Sequence, residues 1–181
     1  SKEKLINTRL DNYDYIGGFS RLEHRKGGVA IYANKNLGNE ISCIDITGKQ
    51  IELVCETQLI KIKTKHSELY ILGIYRPPIY HNLETALDNL YNILDDIPTW
   101  KSPIIITGDI NVDCLADGDD NKLLNEVLMS HGIVRIPLPP TRITSHSETS
   151  IDIIATNLMP TEEIDTAVLH TSLSDHTGQI C

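Results

Sequence analysis

Three short acidic stretches lie at the ends of predicted strands: Gly108-Asp109-Ile110-Asn111, Ser150-Ile151-Asp152 and Ser174-Asp175-His176. Converging carboxylates can hold a hard divalent cation, which takes oxygen ligands. A carboxylate beside a water can act as a base or hold that water in place. An aspartate that accepts from an imidazole sets which ring nitrogen faces outward. Strand ends suit such work, because a rigid sheet can aim polar groups into one cleft. Singly, each stretch has a plainer reading: Gly-Asp after a strand is ordinarily a turn, and Asp-His near a terminus is ordinarily surface.

The elements that must carry these groups follow from period and punctuation. Gly27-Gly28 precedes a short apolar strand, Val29 to Ala33,. An extended segment runs from Ile51 to Thr64, and its end alternates through Leu59, Ile60, Lys61, Ile62 and Lys63,. Leu69 to Tyr75 reads as a buried strand stopped by Arg76-Pro77-Pro78, with Ser67-Glu68 in the hairpin between the two,. Leu83, Leu87, Leu90, Tyr91, Leu94 and Ile97 recur at helical spacing, which predicts a helix over 83–97 with Asn82 as N-cap and Pro98 as stop,. Pro103 to Thr107 is a buried strand. A second helix covers 121–130, with Leu123, Leu124, Val127 and Leu128 on its apolar side and Gly132 beyond its end,. Residues 137–149 form a Pro/Thr/Ser loop, and strands follow at 151–156 and 164–169. The hairpin at 59–75 argues for antiparallel pairing and the one-sided helices for an outer layer. The expected fold is therefore α/β: two mainly antiparallel sheets face to face, flanked by helices.

The composition limits the alternatives. At 181 residues with 40% apolar content, the chain can bury one sizeable core,. No apolar run approaches the roughly 20 residues that span a bilayer. Cys43, Cys55, Cys114 and Cys181 form no CxxC pair and read as free thiols, although Cys43 and Cys55 could face each other across strands,. The net charge of −9 argues against strong nonspecific DNA binding,. Lys61, Lys63 and Lys65 on one strand, and Arg21, Arg25 and Lys26 in one loop, could make local basic faces; a solvated surface is the preferred reading of both. His24, His66, His81, His131, His146 and His170 show no ligand spacing and read as surface or loop residues,.

Taken together and in order, GGVAIYA, YRPP, GDINVD, PTRIT, SIDIIATN and SDH resemble the endonuclease/exonuclease/phosphatase superfamily. In detail they are similar to the endonuclease domains of non-long-terminal-repeat retrotransposons, over nearly the whole chain. The resemblance implies a DNase I-like sandwich and metal-dependent cleavage of phosphodiester bonds in DNA, with Mg²⁺ or Mn²⁺ as cofactor. It implies that Asp109 orients and activates the attacking water and that Asn111 helps hold the water or phosphate. Asp175 matches a metal-side carboxylate, and His176 a histidine that contacts the scissile phosphate. Asp152 matches the aspartate that fixes that histidine's tautomer, and Tyr75 a tyrosine whose hydroxyl reaches the phosphate. Arg142 and Ser150 fall in motifs near a DNA-facing rim. The chemistry needs these parts: an in-line nucleophile, neutralised phosphoryl oxygens and a stabilised leaving oxygen.

The resemblance also implies a departure. Relatives begin with a strand carrying an Asn and a second strand ending in a Glu-Thr-Trp-Leu-like motif, whose Glu is the principal metal ligand. That motif would stand just before Ser1-Lys2-Glu3-Lys4-Leu5, so residues 1–181 read as one N-terminally incomplete domain lacking the first strands. Glu56-Thr57 echoes the motif on the wrong side of GGVAIYA, and Glu3 on a terminus is a poor ligand. The expectation is weak Mg²⁺ binding and impaired nicking. The alternatives are a catalytically silent remnant serving as a fold or interaction module, and a phosphoesterase of the same superfamily acting on a small substrate. DNA is the expected partner, with no membrane and with a reverse transcriptase region possible in the parent polypeptide. The expected location is intracellular, and nuclear for an enzyme acting on chromosomal DNA.

Overall fold

The computed structural model describes residues 10–38, 40–65, 67–79, 81–158 and 164–181. Calls that fall on Glu3 and His66 lie outside them. The strands are β1 (Tyr13–Phe19), β2 (Val29–Asn34), β3 (Glu40–Ile44), β4 (Glu56–Lys63), β5 (Glu68–Tyr75), β6 (Ile104–Asp109), β7 (Val134–Arg135), β8 (Arg142–Ile143), β9 (Glu148–Thr149), β10 (Asp152–Thr156), β11 (Ala167–Leu169) and β12 (Gly178–Ile180). Helix α1 spans Leu83–Asp95 and α2 spans Asp119–Met129. No described helix is long and apolar enough to cross a membrane.

Six strands form the central sheet in the order β3-β4-β5-β6-β10-β7. Neighbours are antiparallel except β5 and β6, whose parallel pairing requires the crossover that α1 supplies,. Alternation along the strands divides the side chains between two faces. Leu59, Leu72, Ile74, Ile104, Ile106 and Ile153 join Leu87, Leu90 and Leu94 of α1 and Leu124 and Leu128 of α2 in the core. Each such side chain contributes about 1.5–3 kcal/mol when fully buried. On the opposite face lies the β1–β2 hairpin. A Cβ on Gly73 would stand 2.7 Å from Val29 Cγ1, so β2 rests directly on the middle of β5. The result is an α/β sandwich, with helices on one face of the sheet and a second strand layer on the other. β8–β9 and β11–β12 are separate antiparallel ribbons.

Several local expectations change. The extended segment starts at Glu56, because Ile51 to Cys55 closes on itself through paired backbone bonds with Leu53 at φ 65°. At the β4–β5 connection Thr64 and Ser67 bond to each other, and Glu68 is already paired with Lys63. Cys43 lies opposite Ile60 and its thiol donates to the Ile16 carbonyl, so it does not face Cys55, and both are free. Asn82 makes no cap bond from its side chain, which instead accepts from Arg76 and donates to Leu53. Helix α2 begins two residues earlier than its pattern suggests, and Leu123 faces solvent while Leu124 and Leu128 are buried. β1 and β3 were not foreseen: Gly17-Gly18 and a bulge interrupt β1, and β3 is a mostly exposed edge.

Candidate active site

Sheet register brings the first parts of the site together. Asp109 ends β6, Tyr75 ends β5 beside it, and Asp152 opens β10 on its other side. Residues paired across neighbouring strands present their side chains to the same face, so these three groups share one rim. His176 arrives from the C-terminal loop, where it forms a bridge with Arg142, and its Nδ1 lies 3.2 Å from Asp152 Oδ2. One donor atom each from Asp109, Asp152 and His176 falls within 4.8 Å of the others. Burial first, and the neighbouring Asp152 second, push the Asp109 carboxyl up to about 6, against the pull of His176 and of hydrogen bonds from Asn111,.

The backbone beneath these groups is held by buried polar ties. Gly108 has φ 141°, and a Cβ there would meet the Ile74 carbonyl oxygen at 1.9 Å, so only glycine lets β6 approach β5 this closely,. Asn111 sits at φ 51°, and its N–H donates to Asp109 Oδ1 at 3.1 Å, an Asx turn that orients the carboxylate,. Its side-chain amide donates to the Arg76 carbonyl. The buried Arg76 guanidinium donates to the carbonyls of Ile110 and Asn111 and to Asn82 Oδ1. Thr141 Oγ1 accepts from the N–H groups of Ile151 and Asp152, and its carbonyl accepts from Thr177. Thr141 thereby stitches the Asp152 strand to the segment that carries His176. Arg135 Nη2 donates to the carbonyls of Val112, Ser150 and Asp152.

No family model matches the chain, and no curated protein sequence matches it. Solved structures do. The endonuclease domain of TRAS1, a telomere-specific non-LTR retrotransposon, superposes with a TM-score of 0.72 at 15% identity, covering 94% of this chain and 79% of that one. The fold is that of the endonuclease/exonuclease/phosphatase superfamily. A family protein of that name from Leptotrichia buccalis C-1013-b gives 0.59 at 14% identity, over 94% of this chain and 71% of its own. The 3′ phosphatase NExo from Neisseria, bound to product DNA hairpin, gives 0.62 at 14% identity, over 92% and 77%.

Within this endonuclease/exonuclease/phosphatase fold the remaining site candidates are distributed as follows. Tyr75 and Asp109 line one cleft of about 460 Å³, roofed by Gly28 to Tyr32 and floored by Ile71, Gly73 and Thr107. Asp175 is half-exposed and its Oδ2 accepts from Arg142 Nε at 2.7 Å, which holds its carboxyl below the usual range. Asp175 and His176 line a neighbouring hollow of about 190 Å³ with Ser174 and His170. Asp175 is outside the close trio. Ser150 is fully buried, with its N–H given to Asp113 and its carbonyl taken by Arg135 and Cys114, so its hydroxyl is not on the solvent-facing rim. His131 is not a surface residue: its side chain is nearly buried and packs edge-on against Tyr91. Glu56 is also fully committed elsewhere, to Arg21, Gly28 and Leu53. Sequence reasoning passed over Arg76, Arg135 and Thr141 as supports. The available signal was an arginine placed immediately after a buried strand and before two prolines, a position with little solvent to receive its charge.

Proposed function

We propose that this chain is a divalent-metal-dependent phosphodiesterase that nicks DNA, the endonuclease part of a retrotransposon-type element. The observation that carries the proposal is the convergence of Asp109, Asp152 and His176 within 4.8 Å, at the rim of a fold shared with such nucleases. The site fits the ion: converging carboxylates supply the oxygen ligands that Mg²⁺ or Mn²⁺ takes,. Asp175, the half-exposed carboxylate beside the trio, would hold it together with the Asp152 oxygen not bonded to His176, which leaves Asp109 to the water and His176 to the phosphate. A bound divalent ion would neutralise charge on the phosphoryl oxygens.

The chain's own residues account for the rest of the work. Burial pushes the Asp109 carboxyl up to about 6, which suits a base that accepts a proton from water,. Asn111 gives its amide N–H to Arg76, which leaves its Oδ1 to accept from that water. Asp152 binds His176 Nδ1, so Nε2 is the ring nitrogen directed to a phosphoryl oxygen,. Tyr75 supplies a hydroxyl from the other side of Asp109, and Arg142 supplies a half-exposed cation for the DNA backbone. On this reading the chain works inside the cell, in the nucleus when its target is chromosomal DNA. Association with a reverse transcriptase region of the same polypeptide is part of the proposal through the sequence resemblance alone.

A second reading, a phosphatase acting on phosphomonoesters, is favoured by the likeness to the 3′ phosphatase NExo. One experiment separates them. Supercoiled plasmid and a 3′-phosphorylated oligonucleotide are incubated with the chain and Mg²⁺ or Mn²⁺. Nicking without release of phosphate supports the nuclease, and release without nicking supports the phosphatase. Asp109→Ala and His176→Ala should each lower turnover at least 100-fold while changing DNA affinity much less, because both act in the transition state. An unchanged rate in either variant would remove that residue from the mechanism, and no turnover on either substrate would leave a silent remnant.

A further inference from the structure

The loop that leads into the strand roofing the cleft is tied down more heavily than a surface loop requires. Glu56 lies beside Tyr75 in the β4–β5 register and is fully buried. Its carboxylate accepts from Arg21 Nε at 2.5 Å, from the Gly28 N–H at 2.7 Å and from the Leu53 N–H at 2.9 Å. Glu52, four residues earlier, accepts from the N–H groups of Leu22 and His24 and from the His24 ring. Glu52 in the turn and Glu56 at the start of β4 therefore hold both arms of the segment 21–28. Lys26, Gly27 and Gly28 all have positive φ, at 68°, 88° and 100°, and a Cβ on Gly27 would stand 2.5 Å from Arg21 Cζ. The glycine makes room for the guanidinium to lie across the loop.

The orientation of that guanidinium is specific. Arg21 Cζ lies 5.7 Å from the centroid of the Tyr75 ring, within cation–π range,. Its side chain is 9% exposed and Nη2 is buried without an acceptor. A group so enclosed does not reach a substrate in the cleft. The electron-rich ring face is what its remaining charge meets.

We infer that Arg21 is a positioning residue for Tyr75: Glu56 sets the guanidinium over the phenol ring, and the anchored loop fixes where the hydroxyl stands beside Asp109. What Tyr75 does for a phosphate rests on the proposed function; that Arg21 places it rests on geometry alone. Arg25 and Lys26, exposed at the loop tip, are then carried at a fixed position relative to the same cleft.

The test has two readouts. NMR of the chain carrying ring-¹³C-labelled tyrosine, with Tyr75→Phe for assignment, follows the ring itself. Arg21→Met and Glu56→Gln should each move the Tyr75 resonances more than those of Tyr13 and Tyr91, and Arg21→Lys should move them less than Arg21→Met. Fluorescence anisotropy with a short labelled DNA duplex and Ca²⁺ follows binding. Arg21→Met should weaken it by about three- to tenfold, and should have no further effect in the Tyr75→Phe background. If Arg21→Met loses the fold by thermal unfolding, Arg21→Lys and Glu56→Gln carry the same cycle. Unmoved Tyr75 resonances, or a full Arg21 effect that persists in Tyr75→Phe, would overturn the inference. Failure of the wild-type chain to bind any duplex would count against the nuclease proposal instead, and the ring resonances would still decide the role of Arg21.

Discussion

The two faces of the central sheet are built for different ends. Behind it, Leu90, Ile93 and Leu94 of α1 and Leu124 and Leu128 of α2 are sealed from solvent against Leu72, Ile104 and Ile106. In front, a two-stranded hairpin covers part of the sheet and leaves the cleft beside Tyr75 and Asp109. The rear face gains free energy by removing apolar surface from water. The front rim spends some of it: Asp109 is held partly buried beside a second carboxylate, and Gly108 and Asn111 adopt positive φ. Stability and candidate chemistry are thus separated by the thickness of one sheet, so mutations on the two faces should have different signatures.

The largest effect is expected behind the sheet. Leu90→Ala leaves a cavity in a site with no solvent access and should cost about 2–5 kcal/mol in urea unfolding,. Mn²⁺ affinity, measured by calorimetry well below the transition, should stay within about twofold, because distant independent sites add. A parallel loss of metal affinity would break the separation. Gly108→Ala should come next, at about 3 kcal/mol. The added Cβ meets the Ile74 carbonyl oxygen, and alanine disfavours this φ,. Unlike Leu90→Ala it should also displace Asp109, so both unfolding and plasmid nicking change.

Asp109→Asn should have a smaller effect of opposite sign. The folded-state carboxyl titrates at about 6, above its ordinary 3.8. The native state therefore holds a proton that the unfolded chain releases between these values, and stability falls as pH rises from about 4 to about 6. Above pH 6 the ionised carboxylate is a cost, of about 2 kcal/mol after discounting for solvent screening. Thermal unfolding in EDTA should show Asp109→Asn more stable than wild type at pH 8 and equal to it at pH 4, with plasmid nicking lost. A variant less stable at pH 8 would mean that Asp109 supports the fold. The smallest effect belongs to a partly exposed ion pair between two inner strands. Lys61 of β4 pairs with Glu68 of β5 where both side chains reach solvent, and Lys61→Ala should leave the urea midpoint unchanged,. A large shift there would show that this ion pair carries stability assigned to the rear face.

The readable parts of this fold were those with a strong local period. Strands 69–75 and 151–156 and helix 83–97 are dense in apolar residues at a clear spacing, and punctuation at Arg76-Pro77-Pro78 and Pro98 bounds two of them. β1 and β3 were not readable because Gly17-Gly18 breaks the first and solvent faces most of the second. Asn82 looked like a cap by type and position, but a tertiary partner, Arg76, claimed its side chain. Glu56 read only as an echo of a metal-ligand motif on the wrong side of GGVAIYA, and its anchoring role was not legible because the arginine that neutralises it stands 35 residues away.

Residue type and local order along the chain already specified three acidic motifs, an alternating hairpin and two one-sided helices, since these depend on neighbours within a few residues; that the third motif sits in a loop and not at a strand end is a tertiary finding. Which carboxylates would meet was settled only by the tertiary structure. The antiparallel register of β6 and β10 sets Asp109 against Asp152, Thr141 ties His176 to them, and Arg142 draws Asp175 aside. The raised Asp109 carboxyl belongs to the tertiary level as well. Desolvation and charge crowding are supplied by chain segments tens of residues apart, and no spacing in the sequence encodes their distance.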